Sequence, residues 1–220
     1  MIPTVSQPSE PAGAIPGFGS GWTSSSWVGI DGYSNPARNI VSNDLLQAGV
    51  RQTIDVNGTP SYYAWYEWWV YPAPVVGPGY IHELPIPTVP VSPGQTVFCQ
   101  VSYVADNTAG YFFFGNEDTG KHVGLTLVPP SADVKLSGSS IEWIMECAGG
   151  GEEANVSLPK FSPVVFNAAL GWGYETFFRG YLTRYGYPIV GDTLNIADKA
   201  GKILTSASAD IEGVEIEFIG

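Results

Sequence analysis

The sequence predicts an all-β protein, a two-sheet antiparallel β-sandwich of the jelly-roll, concanavalin A-like kind with one concave face. Three observations predict it. Gly and Pro account for 27 and 18 of the 220 residues while charged residues make up only 14%, a balance that suits strands and turns better than long helices. Apolar and aromatic runs recur at fairly regular spacing between turn residues. Four of those runs split into a wholly apolar face and a face that carries Asp, Gln or Glu, the period-two signature of a strand packed on one side.

Taken in order, residues 1–24 are dense in Pro, Gly and Ser and read as an irregular surface lead-in to a single sandwich domain over 25–220. Strand candidates follow as SSWVGID, LLQAGVRQTIDV, SYYAWYEWWVY, QTVFCQVSYV, GYFFFGN, HVGLTLV, SIEWIMEC, PVVFNAAL and GVEIEFIG. Asn57-Gly58 between the second and third is a hairpin signal, because both residues tolerate positive φ. The prolines of residues 72–94 exclude a central strand, leaving a long connection or an edge. Residues 171–200 fit one short helix or two edge strands and a loop, and no internal repeat is present.

Alternation then sorts the side chains. Tyr63, Trp65, Glu67, Trp69 and Tyr71 share one face of their strand, against Tyr62, Ala64, Tyr66, Trp68 and Val70. Trp27, Gly29 and Asp31 oppose Val28 and Ile30; Leu45, Gln47 and Gly49 oppose Leu46, Ala48 and Val50; Glu142, Ile144 and Glu146 oppose Ile141, Trp143 and Met145. Polar residues on one strand commonly just face water. Here Trp27, Trp65 and Trp69 accompany the carboxylates, and exposed Trp beside carboxylates predicts a groove that binds a ligand.

The net charge of −12 repels phosphate backbones and anionic membranes, so nucleic acid and membrane surfaces are excluded as partners. The same charge suits work in acid, where carboxylates lose it. Cys99 and Cys147 read as two buried thiols, with a single bridge as the alternative. His82 and His122 lack metal-ligand spacing, so no metal or other cofactor is expected. DGYSN at 31–35 reads as a turn and GGGEEAN at 149–155 as a loop. With neither a signal peptide nor a long apolar span in the sequence, the protein is expected to be soluble, any export signal lying outside this chain.

SSSWVGIDGY, LLQAGV, YAWYEWW and IEWIME, in this order, resemble the signature blocks of the glutamic peptidases, or eqolisins, over roughly residues 25–166, with a closing strand at 213–219. The resemblance implies a sandwich of two antiparallel sheets and a secreted, monomeric acid endopeptidase that cleaves polypeptides without cofactor or covalent intermediate. It places the catalytic pair on Gln47 and Glu142. Trp27, Asp31, Trp65 and Glu67 would orient that pair or bind substrate. A carboxylate that takes a proton from water and returns it to the leaving amine contributes typically ~10² to 10⁴-fold in rate, and one amide donor to the oxyanion about 3 to 4 kcal/mol. A Glu near the unperturbed value of about 4.3 would set an acid optimum.

The chain departs from the family in several places. No NW(G/A/S)G block precedes Trp27, the family's fungal disulfide cysteines are absent, and Tyr63 and Arg51 stand where acidic residues are usual. Arg51 is expected near Glu67, depressing its pKa. Two other readings of the sequence stay open. One is a weakened relative binding peptide or carbohydrate on its Trp-lined face. The other is a retaining glycosidase using Glu67 and Glu142, which needs them about 5 to 5.5 Å apart.

Overall fold

A five-residue turn fixes one of the two longest pairings among the described residues. The Asp55 carboxylate accepts the backbone N–H groups of Asn57 and Thr59 at 2.9 and 2.8 Å, and Gly58 takes φ +84°. The strands on either side then pair without a break from Ile54 with Pro60 to Asp44 with Val70. In this way the Asn-Gly signal sets the register of the two strands that carry most of the polar face.

The computed structural model describes residues 1–15, 19–38, 42–70, 81–104, 108–134, 136–147, 157–167, 169, 174–175, 180–181, 193–198, 200–209 and 213–220. Its strands are β1 (Val5–Ser6), β2 (Gly13–Ile15), β3 (Gly19–Asp31), β4 (Asp44–Asp55), β5 (Pro60–Val70), β6 (Ile81–Pro85), β7 (Val97–Tyr103) and β8 (Gly110–Asn116). The chain continues through β9 (Lys121–Leu127), β10 (Ile141–Glu146), β11 (Lys160–Phe161), β12 (Val164–Asn167), β13 (Tyr174–Glu175), β14 (Gly180–Tyr181), β15 (Thr205–Ala209) and β16 (Gly213–Phe218). The main sheet runs β10-β3-β4-β5-β6, with β2 also on β3, and every pairing in it is antiparallel. Smaller sheets are β7-β8-β9, β12-β16-β15, β1-β11 and β13-β14.

One face of the main sheet is core. Leu46, Ala48, Val50, Ala64 and Trp68 pack with Phe112 and Phe114 of β8, and Tyr66 stacks on Phe112 with centroids 4.4 Å apart. A second cluster joins Trp22, Ile54 and Met145 to Val5, Phe161, Val164 and Ile216. On the same sheet, Ser24 donates to the fully buried Gln52, which donates to Ser26. Removing one member of this set would leave an unpaired buried polar group.

All nine strand candidates lie on strands, and the hairpin forms where Asn-Gly predicts it. The lead-in differs from expectation. Residues 1–24 contain β1, β2 and the start of β3, and they bury Ile2, Val5, Ile15 and Trp22. Short strands between prolines escape a periodicity argument because two or three residues cannot show a period. Residues 81–85 form the edge strand β6. Of 171–200, β13 and β14 are two short paired strands, and most of the remainder lies outside the described residues, as do Tyr71 and the GGGEEAN loop. Cys99 and Cys147 are free thiols.

Candidate active site

Register brings the predicted residues together in rows that cross four strands. Glu142, Gly29, Gln47 and Glu67 are successive partners on β10, β3, β4 and β5. The next row is Ile144, Trp27, Gly49 and Trp65, and the third is Glu146, Ser25, Arg51 and Tyr63. Two polar rows thus flank a row of aromatics and glycine, all on the face away from the core.

In the first row the Gln47 amide nitrogen donates to the Glu67 carboxylate at 2.7 Å. The Gln47 carbonyl oxygen is buried and has no partner, which makes it an acceptor with nothing yet to accept. Glu142 lies two strand spacings from Gln47, about 10 Å between backbones, and only Gly29 stands between them. The space above Gly29 is closed in by the Trp27 ring and a Leu45 methyl, which would lie 2.8 and 2.9 Å from an added Cβ. Burial pushes the Glu142 carboxyl up from 4.5 to about 7; a hydrogen bond from Ser140 opposes this, and the charges of Asp31 and Glu146 add to it. Glu142 is therefore a neutral acid through the acid range, not the group near 4.3 expected from sequence.

The tryptophans are not exposed. Trp27 and Trp65 keep 4% and 1% of their surface, because Gly49 leaves room for Trp27 and the Trp65 indole N–H donates to Ser25 at 2.9 Å. An added Cβ at Gly49 would sit 2.5 Å from the Trp27 Cβ. They act as packed walls, with Trp69 half-buried further along β5.

The third row holds the residues that sequence reasoning misplaced or passed over. Arg51 forms its ion pair with Glu83 of β6, not with Glu67 as expected. Tyr63 also donates to Glu83, at 2.6 Å. Alternation had put Glu146 on this face, but with no role. Burial raises it to about 7, opposed by Trp27 and Arg51 and reinforced by Glu67 and Glu83. The Trp27 indole N–H lies toward the Glu146 carboxyl yet makes no hydrogen bond of normal geometry.

Asp31 leaves the alternating pattern. Its φ is +67°, which ends β3 and swings the carboxylate onto Ser137, Gly138 and Ser139, whose hydroxyl and N–H groups donate at 2.6 to 3.0 Å. Tyr103 of β7 donates to it at 2.7 Å and also lies 3.1 Å from Asp44. Burial works against the Asp31 anion, but these donors outweigh it and hold the carboxyl below its ordinary value. Fully buried, Asp31 moors the segment that enters β10 three residues before Glu142.

A family model described as the Peptidase A4 family matches residues 1–218. The chain belongs to the Peptidase A4 family. This peptidase is a hydrolase of the glutamic type, as the ordered blocks predict. Its fold is similar to that of aspergilloglutamic peptidase from Aspergillus niger, with TM-score 0.66 and 24% identity over 90% of this chain and 99% of that one. It is also similar to scytalido-glutamic peptidase with a peptide-based transition state analog, with TM-score 0.65 and 21% identity over 99% of this chain and 88% of that one. Among curated proteins no sequence matches significantly.

Two properties of this A4 peptidase face bear on chemistry. Glu67 fixes the Gln47 amide with its oxygen free, and desolvation raises the Glu142 carboxyl to about 7. Together they can hold a water and supply a proton within one row.

Proposed function

We propose that the protein hydrolyses unfolded polypeptides in acid through Gln47 and Glu142. The observation that carries this reading is the first row, in which a buried, unpartnered Gln47 carbonyl oxygen and a protonated Glu142 flank a glycine. The scissile peptide bond and a water lie over the Trp27 ring and the Leu45 methyl that close in on Gly29, and bridge the two side chains.

The Gln47 oxygen accepts one hydrogen of the water, and the amide's second N–H donates to the scissile carbonyl oxygen. Glu142 gives its proton to that carbonyl oxygen while its other oxygen takes a proton from the attacking water. The new C–O bond leaves a neutral gem-diol, and Glu142 is again an acid. It then protonates the amide nitrogen and accepts a proton from one hydroxyl as the C–N bond breaks, yielding carboxylic acid and amine. No charged intermediate forms, which suits a site that penalises buried charge.

All of these residues come from one chain, so a monomer suffices. The sequence pI of about 4.3 fits work in acidic surroundings outside the cell. A glycosidase built on Glu67 and Glu142 is disfavoured, since β5 and β10 stand three strand spacings apart, about 14 Å, where a retaining pair needs about 5 to 5.5 Å.

The test is digestion of a denatured polypeptide from acid to neutral pH. Glu142→Gln should lower kcat by at least about 10³-fold, and Gln47→Ala by about 10² to 10³-fold, in variants that remain folded at the assay pH. Near-normal turnover in Glu142→Gln would remove the dyad assignment.

A further inference from the structure

The edge strand β6 meets β5 through an irregularity. Leu84 pairs with Tyr66 and Ile81 with Trp68, so His82 and Glu83 together stand opposite Glu67. Two residues against one is a β-bulge, a device that re-aims a side chain. Here it delivers Glu83 to the polar face, where its carboxylate takes both the Arg51 guanidinium and the Tyr63 hydroxyl. Arg51 and Glu83 side chains keep 10% and 14% of their surface. The second guanidinium nitrogen of Arg51 reaches Thr23 at 3.4 Å, and its Nε–H is buried with no acceptor.

Arg51 lies four residues along β4 from Gln47, about 13 Å, the span of about four residues of extended peptide. A substrate long enough to pass the dyad therefore meets this row. Neither charge of the pair is free. A basic substrate side chain meets the Arg51 guanidinium, and an acidic one meets the Glu83 carboxylate. A neutral side chain opposes neither charge.

We propose that Arg51 and Glu83 form a charge-compensated wall of a substrate subsite, remote from the scissile bond, that selects polypeptides with a neutral side chain at that position. This rests on the peptidase reading of the first row. Glu83 is the specificity-determining residue. Without it the Arg51 guanidinium loses its ion-pair partner and keeps only the raised Glu146 carboxyl in its own row.

Cleavage products of a peptide library, sequenced after digestion at one acid pH, test it. The wild-type protein should disfavour both acidic and basic residues at one position several residues from the cut. Glu83→Gln should raise the acidic-to-neutral ratio of kcat/KM at that position about two- to fivefold, the scale of a screened ion pair, mostly through KM. Arg51→Gln should raise the basic-to-neutral ratio at the same position. The swapped double variant Arg51→Glu/Glu83→Arg should restore the neutral preference, and its intact pair guards against misfolding of the single variants. A wild-type profile indifferent to charge at every remote position overturns the proposal with no variant needed. So do single variants whose profiles match wild type. Absence of any cleavage by the wild-type protein overturns the dyad reading as well, which separates the two failures.

Discussion

Glu67 decides which way the Gln47 amide points. A carboxylate only accepts, so the nitrogen of Gln47 must face it and the oxygen must face the row toward Glu142. Glu67→Gln removes that constraint, because a glutamine there can donate to the Gln47 oxygen and occupy it. We expect kcat to fall roughly 10- to 100-fold with a smaller change in KM, measured by steady-state hydrolysis of one peptide; an unchanged kcat would mean that amide orientation is set elsewhere. The raised Glu142 value makes a second prediction. If the protonated carboxyl is the working form, kcat/KM holds through the acid range and falls as pH rises past about 7. The charge on Glu146 is one cause of the elevation, so Glu146→Gln lowers the Glu142 value and moves this limb to lower pH. A pH profile that does not move in Glu146→Gln would show that the two carboxyls are not coupled.

At the scale of the strand, two glycines do different work. A methyl at Gly49 would lie 2.3 Å from the Ser26 carbonyl oxygen, which is backbone, whereas one at Gly29 meets only side chains. Gly49→Ala should therefore destabilise the protein by about 1 to 3 kcal/mol in denaturant unfolding. Gly29→Ala should stay folded and lose activity, because the Trp27 ring that lies over Gly29 must shift beside the first row. Equal loss of stability in both variants would contradict this division. The polar and apolar faces of β3, β4, β5 and β10 were legible in sequence because strand geometry forces alternation. The hairpin was legible because Asn-Gly tolerates a backbone that other pairs resist. Asp31 was assigned to the wrong surroundings because alternation holds only while φ stays negative. Burial of Trp27 and Trp65 and the Arg51–Glu83 pair were hidden for a different reason. They depend on contacts between segments, one of them through a bulge, and no local pattern reports those.

For the whole molecule, the proton inventory predicts how stability varies with pH. Glu142 and Glu146 bind protons more tightly folded than unfolded, and burial raises Asp44 as well, against hydrogen bonds from Trp68 and Tyr103 and with the Asp31 charge beside it. A carboxyl whose folded value is raised contributes no loss below its unfolded value, then costs stability as pH climbs from about 4.5 to about 7. Asp31 works in the opposite sense, and its contribution disappears only as pH falls through its lowered folded value. The melting temperature should therefore decline between about pH 4.5 and 7, and Glu146→Gln should flatten the decline; a melting temperature that rises over that interval would contradict the assignment. The turn at Asp55 has a consequence of another kind. β4 sends Gln47 and Arg51 one way and Leu46, Ala48 and Val50 the other, so a slip of one residue against β5 would exchange the site with the core. No partly folded form with the wrong pairing can retain the first row. If the first row cuts polypeptides as proposed, activity then arises only in a chain that has already folded, and a chain still loose enough to be cut cannot do the cutting.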